Sequence, residues 1–145
     1  MGIFQNPERD RIREILQGSE VIAVVGLSDN PERVSYMVSE AMQAKGYTII
    51  PVNPNADVIL GQKSYAALKD IPVPVDIVNV FRRSEHTPPI AEEAVAIGAR
   101  TLWLQLGVAN EETAAIAAEG GLTVIMDRCI KVEDSILLPG GKSKT

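Results

Sequence analysis

The residues of this chain with the clearest chemical potential are Gly26, the hydroxyl of Ser28 two positions on, and arginines spread over separate loops. Gly26 closes the apolar run Val21 to Val25 and opens a turn through Leu27. A glycine there leaves the backbone bare, so a phosphate can approach the amides of the turn. The helical pattern starting at Val34 would aim its first N–H groups at the same anion. Of eight arginines, Arg33, Arg82, Arg83 and Arg128 fall in loops that should follow strands. Arg9, Arg11 and Arg13 share the first helix instead, and Arg100 precedes a strand. Net charge is −5, so guanidinium groups gathered at one edge predict a local anion site rather than a basic surface.

The standard phosphate motifs are matched only in part. Against G-x-G-x-x-G, Gly26 fits, Ser28 replaces the second glycine and Pro31 stands at the third. No G-x-x-x-x-G-K-[ST] occurs, and Gly26-Leu27-Ser28-Asp29-Asn30 lacks the closing glycine of a nucleophile elbow. The second strand ends Val52-Asn53-Pro54-Asn55, with no acid before Asp57. NAD-binding domains place a carboxylate there for the ribose hydroxyls, so the omission opposes NAD. It suits a ribose that carries its own phosphate, which a carboxylate would repel. His86, the only histidine, lies on the ligand edge without an evident nucleophile, and a helix-entry role is expected over a general base. Cys129, the only cysteine, excludes an internal disulfide and follows the last strand. One Cys and one His far apart make no metal-ligand set. Trp103 and Tyr47 are expected in the core, whereas Phe81 ends a strand and can face a ligand.

These residues need a scaffold, and the apolar pattern supplies one. Continuous apolar runs at Val21 to Val25, Tyr47 to Val52, Val75 to Val80, Thr101 to Gln105 and Leu122 to Met126 read as strands covered on both faces. Helical segments alternate with them: Val34 to Lys45, a short turn near Tyr65 to Leu68, Pro88 to Ile97 behind Thr87, and Glu111 to Glu119 behind Asn110. Gly46, Gly98 and Gly120-Gly121 stand where helix C-caps belong. An earlier helix should run from Asn6-Pro7-Glu8 to about Gln17, with Asn6 as N-cap and Ile12, Ile15 and Leu16 inward. Right-handed crossovers then predict an α/β fold, a Rossmann-like doubly wound sheet of five parallel strands in the order 3-2-1-4-5 with helices on both faces. The ligand edge is its carboxyl edge, at a switch point between the first and fourth strands. The loops Gly26 to Arg33, Asn53 to Gly61, Phe81 to Thr87, Leu106 to Ala109 and Asp127 to Ile130 lie there.

At 145 residues, 46% apolar and 23% charged, the chain has the composition of one compact domain, expected over residues 1–138 with a flexible Gly/Ser/Lys tail at 139–145. The acidic balance opposes nonspecific binding to nucleic acid or to an anionic membrane, and no apolar run approaches the roughly 20 residues of a membrane span. The polar stretch Met1 to Arg13 does not resemble a signal peptide, so a cytoplasmic protein is expected.

Val24-Val25-Gly26-Leu27-Ser28, Pro31-Glu32-Arg33, Ser35-Tyr36, Gly46-Tyr47, Ile50-Pro51-Val52-Asn53-Pro54, Gly61, Asp76 to Phe81, Trp103-Leu104-Gln105 and Arg128-Cys129 together resemble the stand-alone CoA-binding protein family. Its members are similar to the CoA-binding domain of the succinyl-CoA synthetase α-subunit, and the likeness runs from about Asn6 to Leu138. It implies that Gly26, Leu27, Ser28, Arg33, Val34 and Ser35 hold the diphosphate of coenzyme A. Val52, Asn53 and Pro54 would flank the adenosine, with Phe81 and Arg82 as part of the adenine and phosphate wall. Gln105 and Gly107 would line the pantetheine's path. Read from its own position after the last strand, Cys129 would lie near the thiol end, with Arg128 beside it to favour the thiolate, and a mixed disulfide with CoA stands against the alternative of a buried structural thiol. The phosphorylated histidine of the synthetases belongs to a further domain for which this chain has no room. The expectation is a CoA or acyl-CoA binding protein, non-catalytic on its own. The alternatives are an NAD(P)-binding redox enzyme or sensor module and a nucleotide-binding subunit of an acyl-CoA ligase complex.

Overall fold

The computed structural model describes residues 4–141. In chain order the elements are α1 (Arg9–Gly18), β1 (Val21–Val25), α2 (Val34–Ala44), β2 (Thr48–Val52), the hairpin β3 (Val58–Ile59) and β4 (Gln62–Lys63), β5 (Ile77–Val80), α3 (Thr87–Ala96), β6 (Thr101–Leu104), α4 (Glu111–Glu119), β7 (Thr123–Ile125) and α5 (Ile130–Leu137). Single 3₁₀ turns at Leu68–Asp70 and Ser84–His86 precede β5 and α3. The outer ends of the expected 1–138 domain and 139–145 tail, residues 1–3 and 142–145, lie outside the described residues.

Strand side chains alternate between two cores, as the period of two requires. Ile22, Val24, Ile77, Trp103 and Ile125 point to one face, where they meet Ile12 and Leu16 of α1, Met42 of α2 and Ile130 of α5. Ala23, Val25, Val78, Leu102 and Val124 point to the other, against Ala91 and Ala94 of α3 and Ala117 of α4. With helices on both sides, the sheet can be aliphatic through and through. Asn79 is the buried exception within β5.

The sheet is Rossmann-like, five-stranded and all parallel, in the order β2-β1-β5-β6-β7. In the expected order the Val75 to Val80 strand would have lain outside the second strand; instead β5 pairs directly with β1, Ile22 opposite Ile77 and Val25 opposite Val80. The outer edge of β2 is already occupied. Tyr65, just after the β3–β4 hairpin, donates its N–H to Pro51 O at 3.0 Å and accepts from Asn53 N at 2.9 Å. The chain then crosses the sheet through the buried Leu68 and enters on the far side of β1. The switch point is therefore between β1 and β5.

Three local readings also change. Asn6 caps no helix, because α1 begins after Glu8 without a side-chain cap. Its carboxamide instead pairs with Met126, Nδ2 donating to the carbonyl and Oδ1 accepting from the amide, both at 2.8 Å. A side chain thus supplies two hydrogen bonds just past the end of β7. The loop Asn53 to Gly61 contains the first strand of the hairpin, and the loop after β7 leads into α5, whose short span and mixed pattern hid it. Gly141 N donates to Leu138 O at 2.9 Å, so the tail leaves α5 through a turn.

Candidate functional site

At the carboxyl edge, the turn after β1 is built from backbone and short polar side chains. Gly26 has φ +87°, a conformation that disfavours any residue with a Cβ. A Cβ there would overlap the carbonyl oxygen of Phe81 and come 3.0 Å from Arg82 Cδ. The glycine is therefore required by the neighbouring strand's exit, before any ligand is considered. Beyond it, Ser28 N donates to Ser35 Oγ at 3.0 Å, and Asn30 N donates to Ser28 Oγ at 3.0 Å. The two serines fasten the turn to the first turn of α2.

That helix starts at Arg33 in an extended conformation, with no side-chain cap. Its first amides have no acceptor within the helix, so they stay open to an anion. They face a cleft of about 590 Å³ whose lining includes Gly26, Ser28, Glu32, Arg33 and Phe81. A second cleft of about 240 Å³ opens on the other face of the sheet. Val25, Val52, Leu68 and Ile90 give it apolar walls, Pro54 closes one side, and Arg82, His86 and Glu93 bring charge and hydrogen-bonding capacity. Arg82 runs beside Gly26 between the two clefts.

Of the residues singled out from sequence, Gly26, Ser28, Arg33, Val34, Ser35 and Phe81 share the larger cleft, and Val52, Pro54 and Arg82 share the smaller. Others are placed differently. Leu27 is fully buried, and its carbonyl accepts from Asn53 Nδ2 at 2.9 Å. Asn53 thereby braces the Gly26 turn against the end of β2. Gln105 is buried below the edge, where its Oε1 accepts from Asn79 Nδ2 and from Ile130 N, both at 3.3 Å, and so caps α5. Gly107 turns the chain after β6 with φ +85°, its N–H held by Asp127 Oδ1 at 2.7 Å. Arg128 donates to the Asp127 carbonyl at 3.0 Å, and its own carbonyl accepts from Trp103 Nε1 at 2.9 Å. Cys129 is half-buried, precedes α5 and packs on the same face as Phe81. Neither Arg83 nor Arg128 lines the two clefts, so two of the four edge arginines reach them. Sequence reasoning left out Glu93, Glu32 and Leu68 as lining residues. The spacing of His86, Ile90 and Glu93 at i, i+4 and i+7 along one helical face was the available signal.

Among the described residues no group of three or more His, Cys, Asp or Glu is arranged to hold a metal ion. No helix among them is long and apolar enough to cross a membrane.

A parallel sheet with its switch point at β1, a bare glycine turn and an uncapped helix start define a Rossmann-like domain of the CoA-binding class. Residues 20–135 match the sequence profile of the CoA binding domain, and the chain belongs to that family. It is 56% identical over 133 residues to the Bacillus subtilis (strain 168) protein YneT, covering 92% of this chain and 98% of that one. A hypothetical protein from Pyrococcus horikoshii OT3 superposes with a TM-score of 0.89 at 34% identity, over 95% of this chain and 99% of the other. A 79-residue stretch, 53% of this chain, is 32% identical to acetate–CoA ligase [ADP-forming] II of Archaeoglobus fulgidus and spans 12% of that enzyme. The domain is thus homologous to a part of ADP-forming acyl-CoA ligases.

Proposed function

We propose that this protein binds coenzyme A or an acyl-CoA across the carboxyl edge of the sheet and performs no reaction of its own. The observation that carries this reading is the pair of clefts on either side of Gly26, one facing an uncapped helix start and the other walled by aliphatic side chains. A diphosphate suits the first, where open amides and Arg33 stand together. An adenine suits the second, whose apolar walls bury its faces while Arg82 reaches a phosphate on the ribose. The acidic net charge gives no general attraction for anions, so the two arginines carry the electrostatic part of recognition.

Titration calorimetry with CoA and dephospho-CoA tests it. Wild-type protein should bind CoA more tightly than dephospho-CoA. Arg82→Ala should lose about tenfold or more for CoA and little for dephospho-CoA, because one charge-assisted hydrogen bond to the ribose phosphate is removed. Arg33→Ala should weaken both ligands alike, as expected for a residue on the diphosphate. No heat with millimolar CoA would end the reading.

A second reading is a CoA-binding subunit of an acyl-CoA ligase complex, favoured by the match to the Archaeoglobus ligase. It predicts acyl-CoA synthesis only when the protein is mixed with a partner that carries the remaining ligase domains.

A further inference from the structure

The smaller cleft is polarised along helix α3. His86 precedes the helix, Ile90 lies one turn on and Glu93 nearly two turns on, all lining the same cleft. Seven residues of helix place Glu93 about 10 Å beyond His86 along the axis. Arg82 joins His86 in lining this cleft, so a guanidinium and an imidazole meet a carboxylate around one apolar floor. None of the three side chains takes part in an ion pair or a side-chain hydrogen bond among the described residues. Glu93 has no basic residue three or four positions away on its own helix, where Pro89, Ile90, Ala96 and Ile97 stand. Unpaired groups of opposite character around aliphatic walls fit a ligand that is flat and apolar in its body, anionic at one end and a hydrogen-bond donor at the other.

We infer that Glu93 is a base-specificity residue, accepting a hydrogen bond from the exocyclic amine of a 3′-phosphorylated adenosine whose phosphate lies toward Arg82 and His86. The inference rests on the CoA reading and adds which side chain reads the amine of the base. The orientation follows from charge. A phosphate beside Glu93 would be repelled, whereas beside Arg82 it gains a guanidinium. The start of α3 cannot replace that side chain, because Pro88 and Pro89 stand in its first turn and lack N–H groups. With the phosphate so placed, the far edge of the base falls toward the carboxylate. Adenine presents an amino group there, which a carboxylate accepts. An unsubstituted purine presents only a C–H there, which leaves the carboxylate without its donor.

Adenosine 3′,5′-bisphosphate and purine riboside 3′,5′-bisphosphate, which lacks the 6-amino group, titrated calorimetrically into wild-type protein and Glu93→Ala, provide the test, with CoA as a parallel ligand. Wild-type protein should prefer the adenosine compound by about tenfold or more, the value of a hydrogen bond to a charged acceptor. Glu93→Ala removes the acceptor, so the preference should shrink to within about threefold. Glu93 is exposed on the helix, so the melting temperature should not move. A wild-type preference that persists in Glu93→Ala, with CoA still bound, overturns the role of Glu93 and leaves the CoA reading standing. Failure of wild-type protein to bind CoA overturns both.

Discussion

Gly26 answers to two demands at once. Its φ of +87° lies in the region that residues with a Cβ avoid, and the space a Cβ would fill is taken by the Phe81 carbonyl and the Arg82 stem. Backbone strain of about 1–3 kcal/mol adds to the steric overlap. Gly26→Ala should therefore cost about 3 kcal/mol or more of stability, read as a lower urea midpoint, and CoA binding should fall with it. If the variant kept wild-type stability and lost only binding, the glycine would serve the ligand alone. The sequence marked Gly26 as special on phosphate grounds. The stronger reason, contact with the exit of β5, depends on which strand pairs with β1, and no local pattern around Gly26 carries that.

Elements with a strong period were legible, and those held by tertiary partners were not. β1 and α4 fall at the expected residues because an unbroken apolar run and the Asn110 cap define them locally; Asn110 Oδ1 accepts from Thr113 N at 3.0 Å. The order of the sheet was misjudged because the two-residue strands of the β3–β4 hairpin are too short to show a period, yet the segment they introduce fills the edge of β2. Helix α5 owes its position to Gln105 and to a buried polar cluster near its C-terminal half. There Asp134 Oδ2 accepts from the Tyr47 hydroxyl at 2.6 Å, and its Oδ1 receives Lys45 Nζ at 2.8 Å. Burial, then the hydrogen bond to Asp134 and its negative charge, push the Tyr47 phenol above its ordinary range. The unfolded chain loses this proton near pH 10, while the folded chain retains it. The contribution of Tyr47 to stability is thus complete below about pH 10 and fades as pH rises past it. Tyr47→Phe should be less stable by about 1–2 kcal/mol at neutral pH, and the gap should narrow above pH 10 in urea titrations run across that range. A constant gap at every pH would mean that the proton is not held by the fold.

Across the molecule, the proposed recognition would be concentrated on one edge of an otherwise acidic body. The candidate site draws on the ends of β1, β2 and β5 and on the starts of α2 and α3, so a bound carrier would tie together segments from both faces of the sheet. A ligand bridging them binds the folded chain and not the unfolded one, and must raise its stability. At a free concentration one hundred times the dissociation constant, the gain is about 2.7 kcal/mol. For a domain of this size that corresponds to a rise in melting temperature of about 5–10 °C. CoA should produce such a rise, and NAD should produce much less, because Asn53 stands where a ribose-binding carboxylate would be needed and is already engaged with Leu27 and Asn55. NADP separates the remaining possibilities, since it shares adenine, diphosphate and a ribose phosphate with CoA but carries that phosphate on the 2′ rather than the 3′ oxygen. A rise with CoA that NADP fails to match would tie the site to the 3′-phosphorylated carrier. Equal rises with both would return the redox-module alternative to first place.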